Sequence, residues 1–134
     1  MRILFVENHS VFADNVMRQF LSQHTVTIVP DLSAARQTLR AGEFDLVLVD
    51  YDLDDGKGDA LVREIRASSA PIPTIGVSSH DEGNAALRRA GAMAICSKMQ
   101  FDQIQRVIEK VVEGAAKDRS EETGKTSALQ VTGR

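Results

Sequence analysis

The stretch DLVLVDYDLDDGKG, residues 45–58, decides how this chain folds. It contains a run of four apolar residues, Leu46 to Val49, and closely spaced carboxylates follow that run: Asp50, Asp52, Asp54 and Asp55. An apolar run without alternation is typical of a parallel strand that helices cover on both faces. Carboxylates this close repel one another, and burial raises the pKa of any that leaves water. The stretch therefore predicts a buried strand that ends in an acidic loop, which could be a solvated turn, a metal site or a site of covalent chemistry.

Composition and charge restrict the class of protein. The chain has 134 residues, of which 43% are hydrophobic and 26% charged, as expected for one soluble globular domain. The net charge of -3 gives no general attraction to nucleic acid, so we expect no direct nucleic-acid binding. The apolar run Ile3 to Val6 is too short to span a membrane. A single cysteine, Cys96, and the lack of a secretory signal favour the cytoplasm.

Short apolar runs alternate with longer amphipathic segments. Five runs are predicted to form strands: residues 2–6, 25–29, 46–49, 72–77 and 92–96. The second run alternates polar and apolar residues, as an edge strand does, and the other four are apolar on both faces. Between the runs, apolar residues recur at helical spacing, most clearly from Phe101 to Val112. This order predicts an α/β fold with a parallel sheet and helices on both of its faces.

Residues typical of helix ends mark the boundaries of these segments. Ser10, Asp31 and Asp81 stand where helices should begin, and Gly42 and Gly91 stand just past helix ends. From about residue 115 the chain is polar and has no periodicity. We therefore predict a domain over residues 1–114 and a disordered tail or truncated linker over residues 115–134.

Polar side chains follow the strands at the edge of the sheet where ligands bind. In an open parallel sheet this edge lies at the carboxyl ends of the strands. The residues predicted to meet there are Glu7, Asn8, Asp50, Ser78, Ser79, Ser97 and Lys98. Carboxylates suit Mg²⁺, while hydroxyls and an ammonium group can neutralise phosphoryl oxygens. The combination therefore indicates phosphoryl chemistry.

Four motifs together resemble the receiver domain of bacterial two-component response regulators. They are ILFVEN, LVLVDYDLDDGKG, TIGVSS and ICSK, and the resemblance covers roughly residues 1–113. It implies a flavodoxin-like (βα)5 three-layer sandwich with a five-stranded parallel sheet in the order 2-1-3-4-5. It also implies a regulatory phosphoacceptor in a phosphorelay, which catalyses only its own phosphorylation and dephosphorylation.

The resemblance assigns a role to each residue of the motifs. Asp50 would be the phosphoacceptor, a nucleophilic carboxylate that forms an acyl phosphate. The residues that would bind phosphoryl oxygens are Ser78, Ser79 and Lys98. The Mg²⁺ ligands would come from Glu7, Asn8, Asp50 and the backbone carbonyl of Asp52. The partners would be a sensor histidine kinase or phosphotransfer protein, and a downstream protein target or output domain.

Three positions depart from the family pattern and make this an atypical receiver. Asn8 stands where the family usually has a second acid, so one negative charge is missing and Mg²⁺ should bind less tightly. Ile95 stands where the family has a Tyr or Phe that swings inward on phosphorylation. Lys98 precedes Met99 and not Pro, which predicts a trans peptide bond after the lysine.

Other interpretations compete with the phosphorylated receiver. The first is a pseudo-receiver, a protein-binding module that is not phosphorylated, which Asn8 and Ile95 favour. The second, more distant, is a haloacid dehalogenase-type phosphohydrolase, because Asp50-Tyr51-Asp52 resembles the DxD motif of that family. For single residues, Asp54 and Asp55 fit a turn and a helix start, where acids favour the helix dipole.

Overall fold

A computed structural model describes residues 1–117 as a five-stranded parallel sheet between two layers of helices. The strands are β1 (Arg2–Val6), β2 (Thr25–Val29), β3 (Leu46–Val49), β4 (Thr74–Gly76) and β5 (Ala94–Ile95). They pair in the order β2-β1-β3-β4-β5, which confirms the predicted fold class and strand order. A hairpin of two short strands, Asp52–Leu53 and Gly56–Lys57, lies outside this sheet. When the two hairpin strands are numbered together with the others in chain order, β4 and β5 of the sheet become the sixth and seventh strands, and the order of the sheet is written 2-1-3-6-7.

The helices follow the strands in the predicted alternation. They are α1 (Ser10–Phe20), α2 (Leu32–Ala41), α3 (Gly58–Arg66) and α4 (Asp81–Ala90), and then a 3-10 turn (Lys98–Gln103) that leads into α5 at residues 104–117. Side chains of the central strands alternate between two cores, as the pleat requires. Ile3 and Phe5 face the core beneath α1 and α5, while Leu4 and Val6 face the core beneath α2, α3 and α4.

The predicted helix ends lie within one residue of the observed ones. Asp31 is the N-cap of α2 and accepts a hydrogen bond from the Ala34 N–H at 2.8 Å. Ser10 and Asp81 are each the first helical residue, and the N-caps are the residues before them. Gly91 ends α4 in the left-handed region at φ +118°, where its lack of a Cβ avoids strain.

The last two strands are shorter than the apolar runs that predicted them. β4 begins at Thr74, after Pro73, because proline has no N–H to donate to the sheet. At the start of the run 92–96, Ala92 donates its N–H to Leu87 and so closes the end of α4. β5 is half-buried, and not covered on both faces as predicted, because it forms one edge of the sheet.

The predicted boundary after residue 114 stays a prediction. Residues 115–117, which the sequence assigned to the tail, still belong to α5, and residues 118–134 lie outside the described part of the chain. Within residues 1–117, every helix is too short or too polar to cross a lipid bilayer.

Candidate functional site

Hydrogen bonds that continue past the strand ends align the polar residues at one edge of the sheet. The N–H of Glu7 donates to the carbonyl of Val29, and the N–H of Asp50 donates to the carbonyl of Val6. At the other side, the N–H of Lys98 donates to the carbonyl of Ser78 at 3.1 Å. The strands therefore present these residues side by side, and the structure brings the predicted acids and the lysine together.

Lys98 lies between the two buried carboxylates. Its Nζ is 2.6 Å from Oε1 of Glu7 and 3.2 Å from Oδ2 of Asp50. The side chains of Glu7 and Asp50 are 0% and 5% exposed, and that of Lys98 is 12% exposed. Nζ also lies 5.1 Å from the centre of the Phe12 ring, whose face attracts a cation. One ammonium group thus neutralises only one of the two acids. When both carboxyls are ionised, the three side chains together carry one negative charge, which favours a further cation.

The environment of Glu7 makes its ionised form costly. Burial raises the pKa of its carboxyl above the ordinary value of 4.5, and the charge of Asp50 acts in the same direction. The ammonium of Lys98 and the N–H of His9 lower the pKa but do not cancel the effect of burial. A carboxyl whose pKa rises on folding binds its proton more tightly in the native state. The free energy of unfolding therefore falls as the pH rises from 4.5 through the higher native pKa.

This sign leads to a testable prediction for Glu7→Gln. Without Mg²⁺ at pH 7, we expect the midpoint of thermal unfolding to rise by about 2–5 °C, because Lys98 then serves one acid only. The gain should shrink below pH 4.5, where Glu7 of the wild type is protonated. Thermal unfolding across this pH range measures both effects. Glu64→Gln, which changes an exposed carboxylate paired with Arg36, is the control and should shift the midpoint by less than about 1 °C. A lower midpoint for Glu7→Gln at pH 7 would contradict the prediction.

Asn8 places an unpaired oxygen at the same edge. Its Oδ1 is buried and has no hydrogen-bond partner, while its Nδ2 donates to Oδ1 of Asp54 at 3.3 Å. Oε1 of Glu7 likewise has no partner other than its ion pair with Lys98. A buried acceptor without a donor is costly unless a ligand satisfies it. Two carboxylates and an amide oxygen form a donor set that suits Mg²⁺, so the residues present fit this cation.

A cation at this edge would need Asn8 in addition to the two carboxylates. Within residues 1–117, no three His, Cys, Asp or Glu side chains are grouped so that they could hold a metal ion. The side chains that could ligate a cation at this edge are therefore two carboxylates, those of Glu7 and Asp50, and the amide of Asn8. Water and backbone carbonyls would have to complete the octahedral shell of Mg²⁺.

Ser78 is held by a residue that the sequence did not indicate. The side chain of Asn84 bonds both backbone groups of Ser78: Oδ1 accepts from its N–H at 3.0 Å, and Nδ2 donates to its carbonyl at 3.1 Å. The Ser78 hydroxyl accepts a hydrogen bond from the N–H of His80, so it also supports the start of α4. Ser79 is exposed and does not join the buried group. Sequence pattern could not identify Asn84, because its partner is backbone in a preceding loop.

The carboxylates of the acidic loop, residues 52–55, make different contacts. The side chain of Asp52 is exposed and pairs with Lys57. The Asp55 carboxylate accepts the N–H groups of Leu32 and Ser33 at 2.9 and 3.0 Å, and these bonds lower its pKa. The sequence placed Asp54 and Asp55 at a turn and a helix start. They do lie in the turn of the hairpin, but the helix start is wrong, because α3 begins only at Gly58. Asp55 instead caps the first turn of α2.

The other two atypical positions are Ile95 and the peptide bond that follows Lys98. Ile95 is half-buried on β5 and packs into the core beneath α2, α3 and α4. The side chain of Ile95 therefore contributes to this hydrophobic core. The peptide bond between Lys98 and Met99 is trans, as the missing proline predicted.

Comparison with solved structures places this architecture among receiver domains, at identities that establish the fold alone. NtrX from Brucella abortus has a TM-score of 0.80 and 23% identity, and the match covers 91% of this chain and 29% of that one. The Francisella response regulator 1452 receiver domain has a TM-score of 0.75 and 16% identity, covering 85% and 98% of the two chains. The third is the receiver domain of the sensor histidine kinase PA1611 from Pseudomonas aeruginosa, which has a magnesium ion coordinated in its active-site cleft. It has a TM-score of 0.72 and 23% identity, and the match covers 84% of this chain and 97% of that one.

A parallel sheet with this strand order and a polar pocket at its carboxyl edge defines the flavodoxin-like class. Within that class, the chain belongs to the response regulator receiver domain family, whose family model matches residues 3–111. No curated protein matches the sequence. The protein is thus a regulatory domain of two-component signalling and not a metabolic enzyme, and a haloacid dehalogenase-type phosphohydrolase finds no support.

Proposed function

We propose that this receiver domain accepts a phosphoryl group on Asp50 from a sensor histidine kinase or phosphotransfer protein. The observation that carries the proposal is the position of Lys98, whose Nζ contacts both Asp50 and Glu7 in a buried pocket. A strand-end carboxylate held beside a cation, with the Ser78 backbone aligned to Lys98, is suited to phosphoryl transfer. The signal then passes through protein contacts to a downstream target or output domain, in the cytoplasm.

The chain's own residues divide the chemistry between them. A carboxylate oxygen of Asp50 forms a bond to phosphorus while the bond from phosphorus to the donor nitrogen breaks, and the bonding electrons stay on that nitrogen. Lys98 neutralises charge on the transferring oxygens, and the hydroxyl of Ser78 donates to another of them. Ser79, at the exposed rim, would contact the phosphoryl group from the solvent side. Mg²⁺, bound by Glu7, Asn8, Asp50 and the backbone carbonyl of Asp52, would supply further charge neutralisation.

Phosphorylation in vitro tests the proposal directly. The purified protein is incubated with Mg²⁺ and a small phosphodonor such as acetyl phosphate, and its intact mass is measured. We expect one phosphate-sized adduct that is absent from Asp50→Asn. Asp52→Asn is the matched control, because it removes an exposed carboxylate two residues away and should leave the adduct in place. An adduct that persists in Asp50→Asn would disprove the assignment.

A second candidate, the pseudo-receiver that binds partners without phosphorylation, is favoured by Asn8 and Ile95. Asn8→Asp separates the two candidates because it restores the missing charge. Opposite charges near a protein surface attract by about 4 kcal/mol at 4 Å, and desolvation removes much of this gain. We therefore expect Mg²⁺ affinity and adduct formation to increase about tenfold. An adduct in neither protein would favour the pseudo-receiver.

A further inference from the structure

A hydrogen bond at the pocket joins Asn8 to Asp54, and the family resemblance implies no common role for these two residues. Nδ2 of Asn8 donates to Oδ1 of Asp54 at 3.3 Å, from loops that are 46 positions apart in the chain. Asp54 is exposed, whereas Oδ1 of Asn8 is buried and has no partner. The amide of Asn8 thus has its donor turned to the acidic loop and its acceptor turned away from it.

The chemistry of the two groups determines which way the amide points. An ionised carboxylate only accepts hydrogen bonds, while the amide of asparagine has a donor and an acceptor of nearly the same size. Next to Asp54, the favourable orientation puts Nδ2 against the carboxylate. The reverse orientation would place Oδ1 of Asn8 against an acceptor of like charge, and it would turn an NH₂ group, which cannot ligate a cation, to the other side.

We propose that Asp54 is a positioning residue for the Mg²⁺ site: it fixes the Asn8 amide with its oxygen available as a ligand. The proposal rests on the proposed function, because it takes the edge formed by Glu7, Asn8 and Asp50 to be the cation site. Asp54 also keeps a negative charge in contact with the position that lacks one. A ligand that is already oriented binds more tightly, because the apparent dissociation constant is divided by the fraction of molecules in the competent orientation.

Titration with Mg²⁺ alone tests the proposal in four proteins: the wild type, Asp54→Asn, Asn8→Asp and the double variant. Isothermal titration calorimetry gives the dissociation constants without any phosphodonor. In the wild-type background we expect Asp54→Asn to weaken Mg²⁺ binding about twofold or more, because the new amide can donate or accept. Two equally populated orientations of Asn8 halve the competent fraction, and any preference for the reverse orientation lowers it further.

The Asn8→Asp background separates orientation from charge. A carboxylate at position 8 has two equivalent oxygens and no orientation to lose. Asp54→Asn should therefore weaken Mg²⁺ binding there by a clearly smaller factor than in the wild-type background. Charge alone predicts the reverse, because two facing carboxylates attract the cation together and their mutual repulsion is relieved when it binds. A loss in the Asn8→Asp background as large as that in the wild type would overturn the proposal.

Controls keep the outcomes distinct. Asp59→Asn removes a carboxylate that lies five positions after Asp54 in the chain and pairs with Arg63, and it should change the Mg²⁺ dissociation constant by less than about twofold. Asp54→Ser, which can also donate or accept, should reproduce Asp54→Asn, and thermal unfolding verifies that each variant is folded. Normal Mg²⁺ binding by Asp54→Asn would overturn this inference and leave the proposed function intact. Absence of Mg²⁺ binding by the wild type would overturn both.

Discussion

Gly58→Ala is expected to destabilise the domain by about 3 kcal/mol or more, which lowers the unfolding midpoint by about 10 °C. Gly58 is the first residue of α3, and its N–H donates to the carbonyl of Tyr51 at 2.7 Å. A Cβ built on Gly58 would lie 1.9 Å from the carbonyl oxygen of Asp50. Backbone cannot rotate out of the way as a side chain can, so the end of β3 or the start of α3 must shift.

Gly114→Ala is the matched control for this prediction. A Cβ at Gly114, in α5, meets no atom within 4 Å, so the same substitution should stabilise the protein by about 0.5–1 kcal/mol. Thermal and denaturant unfolding measure both variants. A midpoint for Gly58→Ala within about 1 °C of the wild type would show that the close approach to Asp50 does not exist in solution. If the variant stays partly folded, its adduct formation at Asp50 should also be lost, because that residue is displaced.

Lys98→Met is expected to cost about 3–5 kcal/mol at pH 7 in the absence of Mg²⁺. Methionine retains much of the apolar stem but removes the ammonium group that lies 2.6 Å from Glu7 and 3.2 Å from Asp50. Two buried carboxylates are then left without a counter-ion. Removal of this cation should raise the pKa of Glu7 further, and the loss of stability should therefore diminish in acid.

Mg²⁺ should distinguish the structural role of Lys98 from its chemical role. Under the proposed function a bound dication would neutralise the same carboxylates, so Mg²⁺ should recover part of the stability of Lys98→Met and bind it more tightly than the wild type. Adduct formation should nevertheless stay low, because Lys98 is the cation paired with Asp50 among residues 1–117, and the proposed function assigns it to the phosphoryl oxygens. Unfolding with EDTA and with Mg²⁺, followed by intact mass, measures each effect. Lys98→Arg keeps the charge and should lose less stability, and an unchanged midpoint for Lys98→Met would contradict the prediction.

The sequence predicted the centre of the sheet better than its margins. β1, β2 and β3 have the predicted bounds, because their hydrophobic patterns coincide with their hydrogen-bonded ladders. At β4 and β5 the two differ. Residues 72 and 73 are apolar but precede the ladder at a proline, and residue 92 is apolar but bonds back to α4. Apolar runs report burial, and burial continues beyond the residues that pair as strands.

The candidate site likewise contains residues that the sequence predicted and residues that it could not predict. The acids, Ser78 and Lys98 could be predicted because parallel strands bring their carboxyl ends to one edge. The residues that hold the site in place could not be predicted. Asn84 holds Ser78 from a helix, and Asp55 binds the start of a helix more than 20 positions earlier. Such contacts depend on how loops fold back on one another, which neither hydrophobic periodicity nor local propensity encodes.

The bonds of Asp55 have a thermodynamic consequence for the pocket. Together with Asp31, Asp55 satisfies the N–H groups of Leu32, Ser33 and Ala34, so the first turn of α2 fastens the acidic loop to the body of the domain. The conformational entropy of this loop is therefore lost when the chain folds and not when a cation arrives. A cation that binds at this edge would meet a loop that is already ordered, so the free energy of binding would not be reduced by the cost of ordering the loop. Under the proposed function, stability and Mg²⁺ affinity would thus be linked through the first turn of α2.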